Sequence, residues 1–353
     1  MKSAMKGIEK GFSLVEMMVA LALGLVLFTG VAHLVLASGR SWALQNELSR
    51  IQENARLAQD ILSLNISTVG YTGCPAQASQ ANVLYTVTDN RQWMMHFDKG
   101  ILGIPSGSSV KGQLDSNAIS EAIVVHRIDS DQADLVTGHN TGTATLTLAN
   151  SHGYDEGDLL ALISADCRQI SVFIAGAGSG SKTITHPSSG SGSLYNCSSQ
   201  LQGHFNCHTS AVGSSNFNHQ GSTLAPLRSY AFYLRTSNGV PTLYRKLAGA
   251  YASGNSINAE ALVEGIESLN IRYGLDSDND GVANQYLLAS EIDLYSDDWL
   301  NVISIKLELL VRSFNEVAPQ AQAYFFAGQR VVPDDLFVRR SFMKTIKLRN
   351  RGL

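Results

Sequence analysis

The sequence predicts an α+β protein: one long N-terminal helix packed on a β-rich antiparallel globular domain. Three observations predict it. A predominantly apolar segment runs from Phe12 to Ala37. It continues without proline as an amphipathic stretch to about Val69. Beyond residue 70 the hydrophobic period falls from 3.6 to 2.

The apolar segment is 26 residues long, and a helix of that length reaches about 39 Å. About 20 apolar residues cross a bilayer, so residues of about 12–38 are read as membrane-spanning. Lys2, Lys6 and Lys10 precede the span against Glu9 alone. That charge bias holds the N-terminus in the cytoplasm and places everything after about residue 40 outside the inner membrane. A cleaved secretory signal needs a shorter apolar core. A plain anchor explains the length but not Glu16, because a carboxylate at bilayer depth costs about 2.5–3.5 kcal/mol and needs a partner. Cutting the chain after Gly11 supplies one. Phe12 then carries a positive α-amine, and Glu16 lies one helical turn on.

After Ser38, Leu48, Ile51, Ala55, Ala58 and Leu62 repeat at helical spacing, with polar residues mainly elsewhere around the helix. One helix is expected over residues 12–70, with Gly70 as its C-terminal stop. The bland reading of the stripe, core packing against the globular domain, is the one adopted.

The globular domain spans residues 71–353. Strands are expected at 122–128, 143–149, 158–164, 169–175, 229–235, 241–247 and 302–311, from β-branched and aromatic content between turn-rich borders. Asn238-Gly239 marks a hairpin turn. "ALVEGIESLNIRYGLD" (261–276) reads as a short helix leading into a strand near 269–273. Residues 176–225 are rich in Gly and Ser with few core candidates, and read as a long surface insertion.

The net charge of −4 offers no basic field for nucleic acid. Cys74, Cys167, Cys197 and Cys207 fit two disulfides in an oxidising compartment. Four cysteines allow three connectivities. Cys197 with Cys207 would be a local staple; alternatively Cys74 joins Cys207 or Cys167.

"KGFSLVEMMVALAL" (10–23) resembles the N-terminus of the type IV prepilins, with Lys10, Gly11, Phe12 and Glu16 in the family's places. The resemblance implies that residues 1–11 are a leader, that prepilin peptidase cuts between Gly11 and Phe12, and that the Phe12 amine is methylated. Leader removal takes away three lysines and one glutamate, leaving −6. Tyr273-Gly274, Trp299, Leu348-Arg349-Asn350 and "TVGYTGC" (68–74) resemble PilW-type minor pilins, with GspJ-type pseudopilins sharing the C-terminal arrangement. The partners implied are other minor pilins, the major pilin, the pilus assembly platform and the inner membrane.

Other patterns are weaker. "DSDNDG" alternates Asp276, Asp278 and Asp280 as in the start of a calcium loop. The twelfth position holds Leu287 instead of glutamate, so Glu291 or Asp293 would have to reach back. A solvated polar turn is the bland alternative. A melting curve unmoved by chelator counts against calcium. "GAGSGSKT" (176–183) has Ser181 where a phosphate loop needs glycine. Cys197, His204, Cys207 and His208 could hold zinc, but a disulfide is the expected chemistry outside the cytoplasm. His33 near the end of the span reads as an interfacial residue. No catalytic constellation or organic cofactor site is evident, which leaves three roles: pilin, secretion pseudopilin, or an adhesive subunit using the insertion.

Overall fold

The computed structural model describes residues 13–74, 78–86, 93, 95–108, 114–177, 180–188, 194–207, 219–248, 259–294 and 296–351. The leader and the Gly11–Phe12 junction lie outside the described residues. The α+β architecture is the one the sequence predicts.

A single α-helix spans Leu14–Ser67. Ser13 caps it, its hydroxyl accepting the Val15 amide at 3.3 Å. Among the described residues, nothing else covers its first half. Leu14 is 76% exposed, Phe28 73% and Trp42 70%. Its second half buries Ile51, Ala55, Ala58, Leu62 and Ile66 against strands Val302–Glu316 and Phe337–Lys347. The helix ends at Ser67 with Thr68 as cap. Gly70 follows at φ +67°, and its amide donates to the His126 carbonyl at 2.9 Å. The glycine therefore turns the chain onto a strand instead of closing the helix on itself.

The helix-bearing sheet has the order Gln285–Leu288, Ile266–Leu275, Val302–Glu316, Phe337–Lys347, all antiparallel. Alternate residues of Val302–Glu316, among them Ile305, Leu307, Leu309 and Val311, are buried in the same core as the helix stripe. The expected short helix near residue 261 is absent. Two strands, Ala259–Glu264 and Ile266–Leu275, occupy that stretch. The reason lies at Gly265, which sits at φ +82° with its carbonyl taking the Arg312 amide and its amide donating to Pro241. Pairing on both sides outweighs local helical propensity.

The second sheet centres on Thr223–Ser237, a 15-residue strand that serves two cores. Its C-terminal half pairs with Ala122–Ile128 and Val240–Leu247 over the main core. Its N-terminal half pairs with Leu159–Ile163 and Asp134–Asn140. A smaller distal core there gathers Val136, Leu146, Leu160, Phe173, Ile184 and Phe205. Ser79–Asn82 departs from the antiparallel rule, pairing parallel with both Gln169–Ile174 and Phe205–Asn206.

Residues 176–225 are thus more than a surface loop where they are described. They supply short strands Thr183–Thr185, Leu194–Asn196 and Phe205–Asn206, and buried Ile184, Leu194, Leu201 and Phe205. The strands are two or three residues long, too short for a period-2 signal among so many glycines and serines. Disulfides join Cys74 to Cys167 and Cys197 to Cys207. The first ties the helix exit to the loop before Gln169–Ile174; the second closes the insertion on itself.

Candidate assembly surface and helix junction

Two places carry the functional features of the chain: the exposed half of the helix, and the junction where the helix meets the sheet.

Along the exposed half, Glu16 is the one acidic residue of the first turn. From there to His33 every residue is uncharged. The helix is long and apolar enough to cross a membrane, and its most apolar window has no buried residue. Such a surface is stable only when lipid or other helices cover it. His33 is exposed on the same surface.

The junction begins at Glu47, which is 3% exposed. Its carboxylate accepts the Phe314 amide and the Asn315 side-chain amide, each at 2.8 Å. This fixes the start of the packed half to the end of strand Val302–Glu316. Glu47 lies four residues before Ile51, in register with the apolar stripe, but its charge hides it from a hydrophobicity pattern. Further along, the Asn54 side chain donates to the Glu264 carbonyl at 3.0 Å.

At the other end of the packed half, the last described residues hold the helix exit. The Arg349 amide donates to the Ser67 carbonyl at 3.1 Å, and the Asn350 side chain to the Val69 carbonyl at 3.1 Å. These satisfy carbonyls that a helix end leaves open. Leu348 is fully buried. Arg351 donates to the carbonyls of Trp299 and Lys99. Burial lowers its pKa to about 10, with attraction to Asp98 opposing the shift. Trp299 is itself fully buried, packs edge-on against Tyr273 with centroids 4.9 Å apart, and donates its indole N–H to the Asp293 carbonyl at 2.9 Å. Gly274 follows Tyr273 because a Cβ there would meet the Ser304 hydroxyl at 2.4 Å and the Tyr286 ring at 2.7 Å. The tyrosine-glycine pair, the tryptophan and the terminal motif, separated in sequence, thus form one lock around the helix exit.

Beside this lock two groups titrate abnormally, half-buried Glu121 and fully buried His126. Burial raises Glu121 to about 7, against the Ile271 amide that it accepts at 2.7 Å and the attraction of Arg272. Burial lowers His126 to about 3, with His96 adding to the effect. Glu121 stabilises the fold fully below its unfolded value of about 4.5, and that contribution is lost as pH rises through 7. His126, neutral when folded, costs stability as pH falls from 6.5 towards 3. The two oppose each other between 4.5 and 6.5; above 6.5 Glu121 acts alone. Full loss at pH 8 amounts to up to about 3 kcal/mol. Glu121→Gln is expected to flatten the melting temperature between pH 6.5 and 8 and to exceed the wild type at pH 8. An unchanged slope contradicts the assignment.

Asp276, Asp278 and Asp280 come together, with ligand oxygens within 4.8 Å of one another. Asp276 is buried and the other two are exposed. Asp276 already accepts the amides of Asp280 at 3.2 Å and Gly281 at 2.8 Å. Burial pushes its carboxyl up, and these amides more than reverse it, leaving it below the ordinary range. Glu291 takes the Leu288 amide at 2.6 Å. The loop is held by its own amides and would offer a cation only the remaining lone pairs. The zinc set at Cys197 and Cys207 is not formed, since both are in a disulfide; His208 lies outside the described residues.

The model of the type IV pilus-assembly protein W (PilW) family matches residues 231–350. The prokaryotic N-terminal methylation motif matches residues 8–32. None of the curated proteins compared matches the chain. Among solved structures, a type IV-like pilin from Thermus thermophilus aligns over 85% of this chain and 96% of its own, at 11% identity and a TM-score of 0.33. The PilW match takes in Tyr273, Trp299 and Asn350, the lock around the helix exit, and the methylation motif takes in Glu16. With one signature at each end, the chain is similar to PilW-type minor pilins over residues 231–350 and carries a prepilin-type methylation motif at its N-terminus.

Proposed function

We propose that this chain is a minor pilin that primes or caps a type IV pilus. The observation that carries the reading is the bare apolar half-helix with a single carboxylate in its first turn. After cleavage between Gly11 and Phe12, the mature chain waits in the inner membrane with its globular domain in the periplasm. Glu16 pairs with the Phe12 amine of a neighbouring pilin, bringing helices into register. A carboxylate and an ammonium that meet at low dielectric attract far more strongly than in water. The globular domain, held rigidly on the helix by Glu47 and the terminal lock, presents its surface to other minor pilins. The role is structural, not catalytic.

The aspartate loop is proposed to take Ca²⁺ as a structural ion, tested by the chelator melting comparison described above. A pseudopilin of type II secretion, of the GspJ type, has the same helix physics. Gene deletion with plasmid complementation, scored for surface pili and for secreted enzymes, separates the two roles.

A further inference from the structure

Three histidines from three separate segments converge in the distal core. His139 lies on strand Asp134–Asn140, His186 directly follows strand Thr183–Thr185, and His219 precedes strand Thr223–Ser237. His186 is fully buried and His219 is 1% exposed. The Nε2 atoms of His139 and His186 face each other at 3.2 Å. The rings of His139 and His219 have centroids 5.4 Å apart. Phe173 closes one side, edge-on to His186 at 5.6 Å.

We propose that this histidine cluster binds one late first-row transition-metal ion, for which Zn²⁺ is the probe. Zinc binds imidazole at about 2.0–2.1 Å, so two nitrogens on one tetrahedral ion lie about 3.3–3.4 Å apart. The His139–His186 pair is already close to that spacing. Both chain segments are fixed: His186 is held by its own amide on the Ala144 carbonyl at 2.8 Å, and His139 lies within a paired strand. Buried imidazoles are neutral at neutral pH, which is the ligating form.

His219 supplies the third ligand on binding. As the cluster stands, its nitrogens are not within the sphere shared by the pair; among the described residues only the aspartate group meets that test for three ligands. Without metal, His139 accepts the His219 amide on Nδ1 at 3.3 Å. Its own proton therefore sits on Nε2 and is donated to His186. Coordination at both Nε2 atoms moves that proton to His139 Nδ1 and gives up the His219 amide bond. No net proton is released, and the freed His219 backbone lets its ring turn onto the ion. Water completes the coordination.

The test uses the full-length chain, stripped of metal and held in detergent at pH 7.5. Isothermal titration with Zn²⁺ is expected to show one site, and the melting temperature to rise with zinc. His139→Gln and His186→Gln should each weaken binding more than about tenfold. His152→Gln, a histidine stacked on Tyr154 outside the cluster, should leave it unchanged. Co²⁺ should give the intense visible bands of a tetrahedral site, also lost in His139→Gln. His139 is the more exposed of the pair, so this variant is the one expected to fold if His186→Gln does not. A folded wild-type chain that takes up no zinc overturns the proposal and leaves the cluster as a neutral polar core. Zinc bound equally well by His139→Gln overturns it too.

Discussion

Replacing Glu16 with leucine is expected to leave leader cleavage intact and to remove the chain from sheared pili. The substitution lies four residues beyond Phe12, the first residue after the proposed cut, and leaves Lys10, Gly11 and Phe12 unaltered, so the peptidase substrate is expected to be unchanged. Retention in the membrane should hold or improve, since the substitution removes a carboxylate that costs about 2.5–3.5 kcal/mol at bilayer depth. Assembly alone loses its specific contact. A pairing worth as little as about 1.4 kcal/mol already corresponds to a tenfold change, so incorporation should fall more than about tenfold. The measurement is an immunoblot of membrane and sheared-fibre fractions. Wild-type amounts of the leucine variant in fibres would show that the carboxylate has no pairing role.

The second large effect is expected at Trp299. Trp299→Ala should destabilise the globular domain by about 3–5 kcal/mol, as large-to-small changes of a buried aromatic do. The ring is fully buried against Tyr273. Its loss leaves a cavity under the tyrosine and removes the indole donor from the Asp293 carbonyl, which keeps the Ser296 amide. The Trp299 carbonyl also accepts from Arg351, so a shift of this segment loosens the hold of residues 349–351 on the helix exit. Denaturant melts of wild type and variant measure the difference, and a change under about 1 kcal/mol would place the stability of the junction elsewhere. Loss of this lock should also make the globular domain swing relative to the helix, raising amide exchange at residues 64–70.

Much of this was legible in the sequence, for physical reasons that differ by region. The apolar span, its carboxylate and the amphipathic stripe have strong periodicity and few alternatives. Strands such as Ala122–Ile128 were legible because β-branched runs end at turn residues. Gly265 misled because a glycine flanked by Ala, Leu and Glu resembles a helix interruption, and only partners far along the chain reveal two strands. Glu47 was invisible because its two acceptor bonds reach residues 314 and 315. Arg351 was hidden similarly, its carbonyl partners lying at Lys99 and Trp299. The histidine cluster joins positions 139, 186 and 219, which no local motif connects. Conversely, Trp299 and the terminal Leu348-Arg349-Asn350 stood out by resemblance, and the structure supplies the reason: they close the helix exit.

Deleting the gene and restoring it from a plasmid tests the central claim most directly. Sheared surface pili and type II enzyme secretion are scored in the same strains. The account predicts that pili are lost, secretion persists, and the plasmid restores the pili. Normal pili with lost secretion would contradict it and make the chain a subunit of the secretion pseudopilus.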